Sequence, residues 1–353
     1  MWFDGIIQCL QIEVFMRIVK NIAYTTIIFV IFLVILELLF ITVRFFIRGS
    51  EIERSEIVSD STLGWVHNTQ MKKRVMENKC GEKVVKLPSK DPLIKKFPKY
   101  SADKNILFIG DSFTHAHEVS TGKAYFDVFE EKVKNKYSVY AAGIGGFGNL
   151  QEYIVLVSVF EKIKPDIVMW QLCGNDVANN VYELDNSSFY NNQRPRPYLN
   201  LKNNQINIKN PGFWLFDWSQ GSRFVFYRLL LLDVKYKLGL MELLNSTIAL
   251  DSKARKKYEK QGLEVLDKVL SNAVTEFPNT KFYGFSTDDT YEKEYESIFV
   301  KHKAGYFSEF HNYVNNIPET NCRPLDAHWN HFGNKVVGNM LNKLLMEEVE
   351  QEK

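Results

Sequence analysis

The 353-residue chain carries 44 lysines and arginines against 42 aspartates and glutamates, a formal net charge of +2. That balance excludes an electrostatically driven nucleic-acid binder, and 45% hydrophobic residues exclude a disordered chain. Four cysteines (Cys9, Cys80, Cys173 and Cys322) form no Cys-x-x-Cys pair, which argues against a zinc site and a disulfide scaffold. A single Cys80–Cys322 bridge stays open for a domain outside the cytoplasm.

Residues Ile22 to Val43 are apolar except for Glu37, with Arg17 and Lys20 before them and Arg44 and Arg48 after. About 20 such residues span a bilayer, and no small-x-small cleavage site follows, so the stretch reads as an uncleaved anchor. A buried core helix is the alternative, but this run lacks the polar face such a helix keeps. Glu37 is costly in lipid and is expected near the far end or against a partner helix. The flanking charges nearly balance and do not fix orientation. Before the anchor, Trp2, Phe3, Ile6, Ile7, Leu10 and Val14 recur at helical spacing, as a short interfacial helix or an extension of the anchor. After it, Lys72-Lys-Arg74 and Lys95-Lys96 make residues 71–104 locally basic, either a solvated connecting face or a contact for anionic lipid or glycan.

From residue 105 strands and helices alternate. Ile106 to Ile109 is an apolar run too short for a helix and ends at Gly110, so it reads as a strand buried on both faces. Tyr125, Phe126, Phe129 and Val133 mark a helix face. Ser138 to Ala142 is a strand that runs into Gly143-Ile-Gly-Gly-Phe-Gly148, and Leu150 to Phe160 has helical spacing. Ile167 to Cys173 is a third strand, ending at Gly174-Asn175-Asp176. A helix over Leu263–Phe277, a strand at Lys281–Phe285, a short strand near Gly305–Phe307 and an amphipathic helix over Phe332–Leu345 complete the series. Such alternation implies a parallel sheet with helices on both faces, and ligands bind beyond the carboxyl ends of its strands. Between Asp185 and Asp251 the alternation stops. Arg196 to Ile208 looks like a hairpin turning at Asn203-Asn204, and the apolar run Phe224–Leu232 is too short for a second span.

Ser112 falls where the first of these strands ends and a helix is about to begin, a place that exposes a hydroxyl beside free backbone N–H groups. Asp-Ser after a strand is also ordinary turn chemistry. Near the other end, Asp326 and His328 are two apart just before the last helix, so in an extended segment they project to one side. A carboxylate there can fix the histidine tautomer and leave Nε2 to accept a serine proton, although Asp326 or Asn330 could instead cap the helix. His115-Ala-His117 is half a metal site with no further ligands to name, and the glycine run lacks a nucleotide-loop frame. His331 reads as a helix-surface histidine. Trp170, Trp214 and Trp218 read as packing first and as a sugar-stacking platform second.

Four separated blocks then agree. Gly-Asp-Ser-Phe-Thr (110–114), Ala-Gly-Ile-Gly-Gly-Phe-Gly-Asn-Leu-Gln (142–151), Gly-Asn-Asp (174–176) and Asp-Ala-His-Trp-Asn-x-x-Gly (326–333) occur in the order seen in the SGNH/GDSL hydrolase superfamily, which residues 105 to about 345 resemble. Phe113 replaces the leucine of the family name, and one residue rather than two separates Asp326 from His328, as in its membrane-anchored branches.

The resemblance implies a flavodoxin-like three-layer α/β/α sandwich behind an N-terminal transmembrane helix. It also implies Ser112 as nucleophile, His328 as base, Asp326 as its partner, and Ser112, Gly146 and Asn175 as the oxyanion hole, with no cofactor or metal. On this reading the chain divides into an N-terminal segment (1–21), an anchor (22–48), a basic connector (49–104) and a hydrolase-like domain (105–348) with an insertion at 185–251. The activity implied is an anchored, extracytoplasmic (periplasmic or cell-surface) esterase or O-acyltransferase acting on a short acyl ester, expected on a glycan because the insertion joins a polar hairpin to aromatic residues. A lipase or lysophospholipase is one alternative. A non-catalytic module that binds glycan or a membrane acyltransferase partner is the other.

Overall fold

The structure, a computed structural model, describes residues 2–48, 56–187, 195–209 and 250–351. The N-terminal helix and the α/β domain belong to separate compact units. The helix runs unbroken from Trp2 to Arg48, so the apolar spacing before the anchor belongs to the same helix. Its stretch Phe15–Leu39 is long and apolar enough to cross a membrane, 25 residues against the roughly 20 needed. Among its described side chains only Glu37 is buried, in line with the high cost of leaving a carboxylate in lipid.

The domain opens with two hairpins. Strands β1 (Ile57–Asp60) and β2 (Gly64–His67) pair antiparallel, as do β3 (Arg74–Glu77) and β4 (Lys83–Lys86). This corrects the expectation of a solvated connecting face over residues 71–104. Trp65, Val84 and Ile94 are buried, and a β-bridge joins Lys96 to Ala141. The basic residues misled because their partners lie far along the chain. Lys96 Nζ meets Glu130 Oε2 at 2.7 Å, and buried Lys86 donates to the carbonyl of Ala116.

The central sheet comprises β5 (Lys104–Gly110), β6 (Tyr137–Gly143), β7 (Ile167–Leu172), β10 (Lys281–Ser286) and the short β11 (Gly305–Tyr306), with β8 (Arg196–Asn200) and β9 (Gln205–Lys209) forming an outlying hairpin. Every pairing is parallel and the spatial order is β6-β5-β7-β10-β11. This is the flavodoxin-like order, with its switch point between β5 and β7. Period-2 alternation splits each strand between two cores. Leu107, Ile109, Val168 and Trp170 face the helices Asn149–Ile163 and Ser252–Glu276. Ile106, Phe108, Met169 and Phe285 face the helices Tyr125–Val133 and His331–Gln351. The result is three layers, α/β/α.

In the insertion, β8 (Arg196–Asn200) and β9 (Gln205–Lys209) form the expected hairpin. Arg196, buried, pairs with Asp185 at 2.9 Å. The apolar run Phe224–Leu232, Trp214 and Trp218 lie outside the described residues. The last pair, β12 (Asn321–Cys322) and β13 (Asp326–Trp329), is antiparallel, and Cys322 is disulfide-bonded to Cys80 across 242 positions of sequence. Cys322 stands opposite Asp326 in the register, so the bridge ties the β3–β4 turn to the strand partner of Asp326.

Candidate active site

Strand β5 ends at Gly110, where an added Cβ would lie 2.4 Å from Gln171 Oε1, so glycine leaves room there for Gln171 and Thr114 to pack against the backbone. Asp111 follows as the N-cap of a single helical turn, Ser112–His115, its carboxylate accepting the Phe113 N–H at 3.2 Å. Ser112 is thereby presented at the carboxyl end of β5, half-buried. Its hydroxyl lies 2.8 Å from His328 Nε2 and 3.1 Å from Asp111 Oδ2.

His328 and Asp326 alternate along β13 and so share a side. Asp326 Oδ1 accepts from both the His328 backbone N–H, at 2.9 Å, and the ring Nδ1, at 2.7 Å. The imidazole packs on Phe113, ring centroids 4.8 Å apart, which places the aromatic residue after the serine against the histidine. The three residues form one hydrogen-bonded chain from hydroxyl to carboxylate.

Asn175, at the end of β7, is exposed, and its amide donates to Asp111 Oδ2 at 3.2 Å, the oxygen that also faces the Ser112 hydroxyl. Ser112 and Asn175 therefore meet at the switch point through one carboxylate. Asp111, fully buried, is a site residue that the sequence reading left as part of a turn; its place as an N-cap was the available signal. Gly146 adopts φ +82, and the Cβ position of its neighbour Gly145 is 3.7 Å from Ser112 Cβ. The glycine turn thus lies beside the serine.

A second carboxylate unforeseen from sequence stands at the histidine: Glu118 Oε1 is 3.9 Å from His328 Nδ1. Burial alone would push the His328 pKa down. The Asp326 hydrogen bond and the charges of Glu118, Asp326 and Asp111 outweigh it and push it up to about 9. Burial would likewise raise Asp326, but the hydrogen bonds from His328 hold its carboxyl below the usual range, so it stays ionised. Glu118, Asp326 and His328 also bring three potential metal-ligand atoms within 4.8 Å of one another. His328 Nδ1 is already hydrogen-bonded to Asp326, so the trio reads as an imidazolium-stabilising group. His115 Nε2 and His117 Nδ1 each face Glu56 Oε2 at 3.2 Å, which gives the half-site a shared carboxylate.

The reading of His331 as a surface histidine is corrected, and the packing-first reading of Trp170 agrees with the structure. His331 bridges elements: its Nδ1 meets Glu82 Oε2 at 3.0 Å and its Nε2 accepts the Ser120 N–H at 3.1 Å. Trp170 is buried and donates to Glu152 at 2.7 Å, so it is no sugar platform.

A base with a raised pKa is mostly protonated at neutral pH, so its active, neutral fraction grows as pH rises toward that pKa. We expect kcat/KM on a simple ester to climb about tenfold per pH unit below a limb near about 9, then level. Glu118→Gln removes a raising charge and should move the limb to lower pH. A limb that stays in place in this variant would show that Glu118 does not act on His328.

No family model matches the chain, and no curated protein matches it in sequence. Solved structures similar to it include the psychrotrophic esterase EstA from Pseudoalteromonas sp., 10% identical, covering 70% of this chain and 100% of that one, with a TM-score of 0.41. An acetyl xylan esterase, Est2A, from the rumen bacterium Butyrivibrio proteoclasticus is 12% identical over 72% of this chain and 66% of that one, with a TM-score of 0.40. A lipase/acylhydrolase from Enterococcus faecalis is 12% identical over 69% and 96%, with a TM-score of 0.37. At such scores the functional reading rests on the site itself. The resemblance to the SGNH/GDSL superfamily stands on its four sequence blocks, which this fold gathers at the carboxyl end of one parallel sheet.

Proposed function

We propose that the chain is a membrane-anchored serine esterase acting on a short acyl ester of a polar, carbohydrate-type alcohol. The observation that carries this reading is the chain Ser112 Oγ to His328 Nε2 at 2.8 Å and His328 Nδ1 to Asp326 Oδ1 at 2.7 Å. Both distances suit proton transfer to a base held in one tautomer by a carboxylate.

Ser112 Oγ attacks the ester carbonyl carbon while its proton passes to His328 Nε2, and the carbonyl π electrons move onto oxygen. Asp326 remains ionised beside the imidazolium and lowers its energy. The N–H of Gly146 and the Asn175 amide, released from Asp111, donate to the oxyanion. Collapse of the tetrahedral adduct expels the alcohol oxygen, which takes the proton from His328 and leaves an acyl-serine. Water, or a second alcohol in a transferase, then attacks that acyl group with His328 again the base. The side chains around Ser112 favour a short acyl group. Asp111, Asn175, His328 and, beside the histidine, Glu118 are polar or charged, whereas a long acyl chain needs a continuous apolar wall.

For location, the Cys80–Cys322 disulfide supports a domain on the oxidising side of the membrane that Phe15–Leu39 can span. In cells quenched with acid, Cys80 and Cys322 should resist alkylation until a reductant is added. Free alkylation of both without reductant would instead favour a cytoplasmic domain.

Ser112→Ala should retain the wild-type thermal midpoint and lose at least about 10³-fold in turnover, since Ser112 supports little packing and the nucleophile carries most of the rate. On p-nitrophenyl esters, efficiency should fall from acetate through butyrate to palmitate, with deacetylation of acetylated xylan. Efficiency rising with chain length, with acetylated xylan untouched, would support a lipase or lysophospholipase instead. An unchanged rate in Ser112→Ala removes the nucleophile assignment.

A further inference from the structure

The turn that carries the Gly146 N–H is two glycines long, Gly145-Gly146, with Gly146 at φ +82. The Phe147 N–H closes this turn on the Ile144 carbonyl at 3.2 Å, but the central Gly145–Gly146 peptide can flip between the two common turn arrangements with little steric resistance, so the closing bond does not aim that N–H. An oxyanion donor is useful only when its direction is set before the reaction, because reorienting it during the reaction has an energetic cost. The direction must therefore come from neighbouring side chains.

Two side chains outside the four sequence blocks grip the turn from opposite ends of Gly145. The Gly145 N–H donates to His115 Nδ1 at 3.2 Å. The Gly145 carbonyl accepts from the indole Nε1–H of Trp65 at 3.1 Å. That carbonyl and the Gly146 N–H are the two ends of one peptide unit. A trans peptide is planar, with C=O and N–H pointing in opposite directions, so fixing the carbonyl on Trp65 fixes the line of the Gly146 N–H.

Each gripping side chain is itself held. Trp65 is 1% exposed, packs edge-on against Phe147 at 5.4 Å, and carries the Arg196 guanidinium over its face at 5.1 Å. Arg196 is in turn fixed on Asp185. His115 is 7% exposed. Because its Nδ1 accepts the Gly145 N–H, its proton sits on Nε2, which faces Glu56 Oε2 at 3.2 Å. Burial and the nearby Lys95 charge outweigh Glu56 and hold the His115 pKa down to about 3, so Nδ1 keeps its lone pair through the working range. Burial would raise Glu56, but its contacts with His115 and His117 drive it far below the usual carboxylate range, so it stays ionised beside them.

We infer that Trp65 and His115, the latter oriented by Glu56, are positioning residues that aim the Gly146 N–H at the oxyanion formed on Ser112. The inference rests on the esterase reading above. It gives the β1–β2 hairpin and the segment entering it a part in the chemistry, although neither touches substrate. A purely packing role for Trp65 is the rival, and the two roles differ in what the indole N–H does.

Trp65→Phe keeps an aromatic ring at the site and removes that donor together with part of the indole's packing, which the thermal midpoint reports separately. The measurements are kcat, KM, thermal midpoint and the inhibition constant of a boronic acid that forms a tetrahedral adduct on the serine. In Trp65→Phe we expect kcat to fall roughly 10- to 100-fold with KM within about twofold, since the lost interaction belongs to the transition state. The boronate should weaken by a similar factor. His115→Ala should behave alike, and His115→Gln, whose side-chain oxygen can accept the Gly145 N–H, should recover part of the loss. Wild-type kcat and boronate affinity in Trp65→Phe, whatever its midpoint, overturn the positioning role. Should Trp65→Phe not fold, the comparison of His115→Ala with His115→Gln decides the matter: equal losses in both, or none in either, overturn it. An inert wild-type protein is a separate outcome that removes the esterase reading and this inference together.

Discussion

Everything at this site depends on one buried carboxylate. Asp111 is fully enclosed where β5 ends, and it accepts from the Phe113 N–H, the Ser112 hydroxyl and the Asn175 amide. Those three groups come from the serine turn and from the end of β7, the two strands that flank the switch point of the sheet. A buried charge is tolerated only when its hydrogen bonds are made, so Asp111 draws both segments to itself. The resting site is thereby closed on itself. The Asn175 amide points at Asp111, and substrate must compete for it.

The residues before the sheet organise the other half of the site. The β1–β2 hairpin brings Trp65 to the glycine turn. The β3–β4 turn carries Cys80 and Glu82, which tie by disulfide to Cys322 and by hydrogen bond to His331. These two anchors bracket Asp326 and His328 in sequence, and Cys322 is also the register partner of Asp326. The segment with Asp326 and His328 is thus held at both ends by a hairpin more than two hundred residues earlier. Ser120 adds a third hold, donating its backbone N–H to His331.

How much of this the sequence disclosed follows from how local each signal is. The five parallel strands and the paired helices were legible because their apolar residues recur with period 2 or 3.6 within short windows. Ser112, Asn175, Asp326 and His328, which the fold brings together, stood out because each lies in a spaced block close to where a strand ends or a helix begins. The hairpins of residues 57–86 were not. Lys86 and Lys96 look solvated until their partners, the Ala116 carbonyl and Glu130, are brought alongside by the fold. Glu56, Trp65 and Glu118 were missed for the same reason: each acts on a group 50 to more than 200 positions away, and no local pattern marks it. The register of β13 against β12 was equally out of reach, since it rests on two residue pairs with a shift between them and no alternation marks it.

The central claim is that Ser112 is a nucleophile activated by His328. A fluorophosphonate reacts covalently with an activated serine hydroxyl and leaves ordinary surface serines alone, so peptide mapping after treatment of the folded protein tests it directly. Stoichiometric modification on the peptide carrying Ser112, lost in His328→Ala at unchanged thermal midpoint, is the result this account predicts. No modification of the folded protein, or modification at a different serine with Ser112 untouched, would contradict it.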